Sequence, residues 1–257
     1  MYDMQETIRR ANAAGRTAVI PFITAGFPEP ESFWEKLAEI DACGVDIIEV
    51  GIPFSDPVAD GPVIEECSRR ALEAGVTLRR VLEGLRARRG QLRADIVLMG
   101  YTNPFLQYGL ARLGADAAEA GVRGLIVPDL PLEEAAPYRE ALQAHGLCLI
   151  TLVAPNTSLE RMQLYAQEAR GYVYVVSLLG TTGSGAGAAD TVAETLRRAR
   201  RAFSLPLALG FGLCRPEQLT ELPADARPDA AVIGTALLRH LQAGKPAAEF
   251  LGPWVEG

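Results

Sequence analysis

The chain has 257 residues, 49% of them hydrophobic and 22% charged, a balance that suits a folded globular protein and excludes a disordered one. Its formal net charge of −7 and pI near 5.1 leave no basic footprint for nucleic acid or an anionic membrane surface. The polar opening MYDMQETIRRANAAGR and the lack of any apolar run of ~18 residues predict neither signal peptide nor membrane span, so the cytosol is expected.

In chain order, short β-rich runs alternate with longer amphipathic stretches, the pattern of repeated βα units around a parallel sheet. After an N-terminal helix, strands are predicted at 18–24 (AVIPFIT), 45–51 (VDIIEVG), 95–101 (DIVLMGY), 124–128 (GLIVP), 147–153 (LCLITLV), 172–177 (YVYVVS), 205–211 (LPLALGF) and 229–233 (DAAVI). Helices are predicted at 30–42, 62–74, 77–89, 111–120, 132–145, 159–169, 191–203 and 235–243. Pro30, Pro62 and Pro216 fall near helix starts, and Gly44, Gly75, Gly90, Gly121 and Gly146 just past helix ends. Eight strands suggest closure, and no linker divides the chain. The expected architecture is α/β: residues 1–257 as one (β/α)8 TIM-barrel domain, with the extra N-terminal helix able to plug the barrel bottom.

In such a barrel the chemistry sits at the C-terminal ends of the strands. Glu49 is the most unusual residue there, because strand alternation turns Ile47, Glu49 and Gly51 inward if Ile48 and Val50 pack under helices. Asp60, in the loop GIPFSDPVADGP, could be an ordinary Asp-Gly turn. Its weight comes from Glu49, since two carboxylates on one strand and its loop could place a proton-transfer group and a hydrogen-bond acceptor on opposite sides of one substrate, with Asp56 a weaker third candidate.

Glycines gather at three late strand ends: 180–187 (GTTGSGAG), Gly210 with Gly212, and Gly234 before Thr235. Backbone N–H groups of such loops, with a helix start, can hold a phosphate without lysine or arginine. Phe22, Tyr101, Ile126, Tyr174 and Phe211 lie at or near strand ends and suit an aromatic ligand.

What is missing narrows the chemistry. The only lysines are Lys36, in a predicted helix, and Lys245, in the tail, which suits no Schiff-base aldolase; His145 and His240 belong to no metal cluster, and His145 reads as a helix C-terminal histidine. Cys43, Cys67, Cys148 and Cys214 form no CxxC pair and are expected as small buried hydrophobes. Carbon–carbon cleavage by this chain would rest on carboxylate acid–base catalysis.

Residues 47–62, IIEVGIPFSDPVADGP, resemble the hallmark segment of tryptophan synthase alpha chains, with PFITAGFP at 21–28, MGYTNP at 99–104, PDLPLEE at 128–134 and GFGL at 210–213 in the expected order. The resemblance implies a barrel lyase with no cofactor of its own. It would cleave indole-3-glycerol phosphate to indole and glyceraldehyde 3-phosphate in tryptophan biosynthesis, bound to a pyridoxal-phosphate-dependent beta chain in an α2β2 tetramer. Carried onto this sequence, it makes Glu49 the proton shuttle and Asp60 the acceptor of the indole N–H. Phe22, Tyr101, Ile126 and Tyr174 would line the indole pocket, Gly183, Phe211, Gly212, Gly234 and Thr235 would surround the phosphate, and Thr182 would belong to a closing loop. The chain departs from the common pattern in SLLGTTG at 177–183, in Thr235 where serine is usual, and in Cys214 and Arg215. Competing readings are another phosphate-binding barrel, such as an isomerase or the indole-forming cyclase, a docking subunit without catalysis, and a stand-alone lyase.

Overall fold

A computed structural model describes residues 4–176, 186–210 and 212–256, without the side chains of 186–188. Nine parallel strands form one sheet: β1 (Ala18–Thr24), β2 (Ile47–Gly51), β3 (Asp95–Met99), β4 (Val122–Ile126), β5 (Cys148–Leu149), β6 (Thr151–Val153), β7 (Val173–Val176), β8 (Leu207–Gly210) and β9 (Ala230–Ile233). Strands β5 and β6 are halves of one position. Cys148 and Leu149 pair with Gly124 and Leu125 of β4, whereas Thr151 to Val153 pair with Val173 to Val175 of β7. Ile150 between them still donates its N–H to Leu125. The sheet thus bends round to meet itself, and the predicted eight-fold barrel is what the chain forms.

The helices are α1 (Met4–Ala13), α2 (Phe33–Ala42), α3 (Pro62–Glu73), α4 (Leu78–Ala87), α5 (Thr102–Tyr108), α6 (Leu110–Glu119), α7 (Ala136–Gln143), α8 (Leu159–Glu168), α9 (Ala186–Ala202), α10 (Glu217–Thr220), α11 (Thr235–Gln242) and α12 (Ala247–Val255). Their ends follow local chemistry. Thr77 and Ser158 each accept the N–H three residues on, at the starts of α4 and α8. Gly44, Gly75, Gly90, Gly121 and Gly146 all have φ between 74° and 83°, the left-handed turn that stops a helix most cheaply with glycine. In α2, Phe33, Leu37 and Ile40 recur on one face and are buried, each removing apolar surface worth roughly 1.5–3 kcal/mol.

Helix α1 closes the N-terminal end of the barrel, as its position before the first strand suggested. Met4 and Ile8 are buried, and the Met4 methyl lies 2.9 Å from where a Cβ on Gly124 would sit. The Thr7 hydroxyl donates to Asp95 (2.6 Å) and the Asn12 amide to the carbonyl of Asp229 (2.8 Å), pinning the helix to the starts of β3 and β9. Asp46, just before β2, receives both Arg16 nitrogens at 2.7 Å and the Val19 N–H at 2.8 Å, which sets the start of β1 against β2.

Three helices fall outside the predicted spans, although Pro216 marked the start of one of them, α10. Helix α12 packs on α2 through Ala247, Leu251 and Trp254, although Gly252 and Pro253 interrupt its pattern. Helix α10 has four residues, too short for a periodicity. Helix α5 follows β3 directly, so Tyr101, assigned by its β-propensity to the end of a strand, instead caps a helix (φ −97°, ψ 160°). Cys67 is buried as expected, whereas Cys214 is exposed on the loop after β8. Among the described residues no helix is long and apolar enough to cross a membrane.

Candidate active site

Glu49 sits at the middle of β2, where the five residues IIEVG are all buried. Its surroundings fix its direction: the charge of Glu49 bears on Tyr172 and Tyr174, which stand at and just before β7, on the opposite wall of the barrel. Only an inward side chain can do this. Glu49 is 0% exposed, and neither carboxylate oxygen has a hydrogen-bond partner. Burial, with a contribution from the charge of Asp60, raises its pKa from 4.5 to about 8. The carboxyl is neutral at pH 7 and close to exchanging its proton.

Asp60 reaches the same space from the loop after β2. Its pKa is raised to about 6, chiefly by burial and less by the charge of Glu65, while a hydrogen bond from the Tyr101 hydroxyl pulls it down. Oδ1 of Asp60 is buried without a partner. At pH 7 one carboxyl is therefore protonated and the other ionised, an acid facing an anion. The Tyr101 hydroxyl accepts the Ala59 N–H at 3.1 Å, and its ring lies against Phe54 with centroids 5.2 Å apart.

Two glycines make room for the aromatic walls. A Cβ on Gly51 would come within 2.5 Å of the Phe22 ring, and one on Gly210 would run into the ring and hydroxyl of Tyr174. Phe22 pairs in register with Glu49, and Gly234 meets it from β9's end, its absent Cβ only 3.5 Å from that of Phe22. Ile126, the last residue of β4, is fully buried. Ile126 ends β4 and Tyr101 caps α5 just past β3, whereas Phe22 is the fifth of seven residues in β1 and Tyr174 the second of four in β7, so these two lie within their strands rather than at the ends.

At the late strand ends, Gly212 has φ 83°, and its carbonyl accepts the side-chain amide of Gln218 (3.2 Å), which also accepts the N–H groups of Cys214 (2.7 Å) and Arg215 (3.0 Å). Gly234 caps α11 with no side chain over its first turn, and Thr235 opens the helix. The first N–H groups of a helix have no carbonyl within it to donate to. Thr182, Gly183, Phe211 and the loop up to residue 185 lie outside the described residues. Asp56 is exposed and bonded to Ser55, facing away from Glu49's enclosure.

Sequence reasoning missed four contributors. Tyr172 was read only as strand, yet its hydroxyl is buried near Glu49 with no partner, and the buried hydroxyl of Thr24, the last residue of β1, has none either. Strand alternation puts Tyr172 on the same face as Tyr174, but Tyr174 itself was placed only by its position near a strand end. Phe54 and Gln218 gave no signal, since each acts through a loop whose path the sequence does not specify.

The family described as Tryptophan synthase alpha chain matches residues 8–250. The chain belongs to the tryptophan synthase alpha chain family. The alpha chain of Desulfovibrio desulfuricans is 62% identical over 251 residues, covering 98% of both chains. That of Picosynechococcus sp. is 42% identical over 96% of this chain and 93% of its own. Tryptophan synthase subunit alpha from Legionella pneumophila superposes with a TM-score of 0.87 at 33% identity, covering 100% of this chain and 98% of that one. A chain of Mycobacterium tuberculosis tryptophan synthase superposes with a TM-score of 0.89 at 31% identity, covering 98% and 96%. As a tryptophan synthase alpha chain the protein is a lyase. It cleaves indole-3-glycerol phosphate in tryptophan biosynthesis, and its family acts with the beta chain.

Proposed function

We propose that Glu49 and Asp60 perform the cleavage as a divided pair, and the observation that supports this most directly is the burial of Glu49 with both oxygens unpartnered beside an ionised Asp60. The neutral Glu49 carboxyl gives its proton to C3 of the indole ring. Positive charge then develops on the ring nitrogen, whose N–H donates to Oδ1 of Asp60. Glu49, now a carboxylate, takes the proton of the glycerol hydroxyl next to the ring. The hydroxyl oxygen becomes the aldehyde carbonyl, the bond to C3 breaks, and its electron pair returns to the ring. Indole and glyceraldehyde 3-phosphate leave, with Glu49 protonated as at the start.

Phe22, Tyr101, Ile126 and Tyr174 enclose the ring, and the backbone around Gly212, Gly234 and Thr235 holds the phosphate through N–H donors at the start of α11. Gly183 and Phe211 would complete that cradle, and Thr182 the closing loop. The protein works in the cytosol in an α2β2 assembly, with the beta chain docked at the barrel mouth over the loop 53–60. Val58 there is 80% exposed, and Leu106 on neighbouring α5 is 56% exposed. Apolar side chains left in water at one rim suit a partner surface.

The test is product release from indole-3-glycerol phosphate, followed for indole and triose phosphate with and without a beta chain. Wild-type protein should produce both in equal amounts and Asp60→Asn should be severely impaired. Wild-type kcat in Asp60→Asn would overturn the assignment.

A further inference from the structure

Tyr101 bonds Asp60 and holds the end of the loop through Ala59, so its placement governs the acceptor side of the site. Yet Tyr101 stands at the junction of β3 and α5, a cap with no side-chain hydrogen bond to the helix it opens. What fixes that junction is the next residue. The Thr102 N–H donates to both oxygens of Asp129 (3.0 and 3.2 Å), and the Thr102 hydroxyl donates to Oδ2 at 2.7 Å. The Thr102 carbonyl accepts the hydroxyl of Tyr138 from α7 at 3.2 Å. Every polar group of Thr102 is thus held by the following βα unit, two of them by one carboxylate.

We propose that Asp129 is a positioning residue for the lyase reaction: through Thr102 it fixes the turn that carries Tyr101, and Tyr101 holds Asp60 where the ring nitrogen of the substrate arrives. The proposal rests on the reading of Asp60 as the acceptor of the indole N–H. Asp129 itself lies one loop away, and its hydrogen bonds go to Thr102 rather than to Asp60 or Glu49. A displaced turn carries the Tyr101 hydroxyl away from Asp60, and misplacement of a reacting group by about 1 Å can cost on the order of 10²-fold in rate. The negative charge of Asp129 also helps keep the Tyr101 phenol protonated, hence a donor.

The experiment measures kcat, KM and the pH dependence of kcat/KM with saturating beta chain for Asp129→Ala, Thr102→Val, Tyr101→Phe and the Asp129→Ala/Tyr101→Phe double variant, with Asp60→Asn alongside. Thr102→Val removes one hydrogen bond and keeps the side chain's size, so it reads the effect even if Asp129→Ala folds poorly. We expect kcat to fall about tenfold in Asp129→Ala, and less in Thr102→Val, with KM changed under about threefold. The acid limb of kcat/KM should move to higher pH in both, because Asp60 loses the donor that lowers its pKa. The double variant should be no slower than Tyr101→Phe alone, since Asp129 acts through that phenol. Multiplicative losses and an unmoved acid limb, with Asp60→Asn inactive, would overturn this proposal and leave the reading of Asp60 standing. An Asp60→Asn enzyme with wild-type kcat would overturn both.

Discussion

Glu49 has an ionisation that sets both rate and stability. Taking Asp60 at about 6 and Glu49 at about 8, the working state is the one with Asp60 ionised and Glu49 neutral, so kcat/KM should be bell-shaped with limbs near those values. A profile still rising above pH 9 would contradict a protonated Glu49. Glu49→Gln keeps the size but exchanges no proton, and should lower kcat at least ~10²-fold while leaving KM nearly unchanged. The same substitution should stabilise the fold at high pH. The folded pKa of Glu49 is raised above its ordinary value, so its contribution is intact below about 4.5 and lost as pH rises through about 8. Thermal melts should show Glu49→Gln equal to wild type at pH 4.5 and higher at pH 9, by about 2–4 °C for each ~1 kcal/mol relieved. Equal melting temperatures at both pH values would mean that Glu49 is less enclosed than its burial indicates.

The elements matter through the space that they leave. Strands β2 and β8 end in Gly51 and Gly210 because aromatic rings from β1 and β7 cross those points. Gly51→Ala must push the Phe22 ring aside, with an expected cost of about 1–3 kcal/mol for overpacking. Since Phe22 also walls the indole pocket in our reading, KM for indole-3-glycerol phosphate should rise in parallel. Chemical denaturation and steady-state kinetics on the one variant separate the two effects, and an unchanged KM would remove Phe22 from the pocket. Helix α1 is a different kind of element, needed for closure and remote from the strand ends. Thr7→Val removes its buried hydrogen bond to Asp95 and leaves that carboxylate with Arg123 alone among these two, so stability should drop by ~1–3 kcal/mol with kcat intact. Loss of kcat in folded Thr7→Val would show that the barrel bottom is coupled to the site.

For the whole molecule, the rim that bears Val58 and Leu106 is the region where a partner would bury apolar surface. Val58→Asp and Leu106→Asp should each weaken association with a beta chain at least tenfold, measured by calorimetry, while leaving the melting temperature within about 1 °C, as for exposed sites. Unchanged affinity in both would move the docking surface elsewhere on the barrel.

The sequence by itself determined the eight strand positions, though not the split of the fifth into β5 and β6, the inward direction of Glu49 and the glycine-terminated helices, because each follows from a local rule: a period of two, a period of 3.6, or a backbone angle that glycine tolerates. All eight predicted strand positions recur in the fold, with ends moved by a few residues. It could not show Tyr101 as the cap of a helix, since β-propensity and the preceding apolar run read straight through the end of β3, whereas in the fold Thr102 bonds to Asp129, 27 residues further on, and opens α5. Nor did it reveal α12, whose Gly252 and Pro253 weaken any helical pattern and whose stability comes from burying Trp254 and Leu251 beside α2, some 210 residues away in the chain. An inward carboxylate in an apolar barrel mouth predicts an upward shift at Glu49 from the sequence, but its extent, and the shift at Asp60, were settled by tertiary structure. A carboxyl's pKa depends on what solvent the rest of the fold excludes from it, and at Glu49 the excluding groups come from β1, β7 and the loop that bears Asp60.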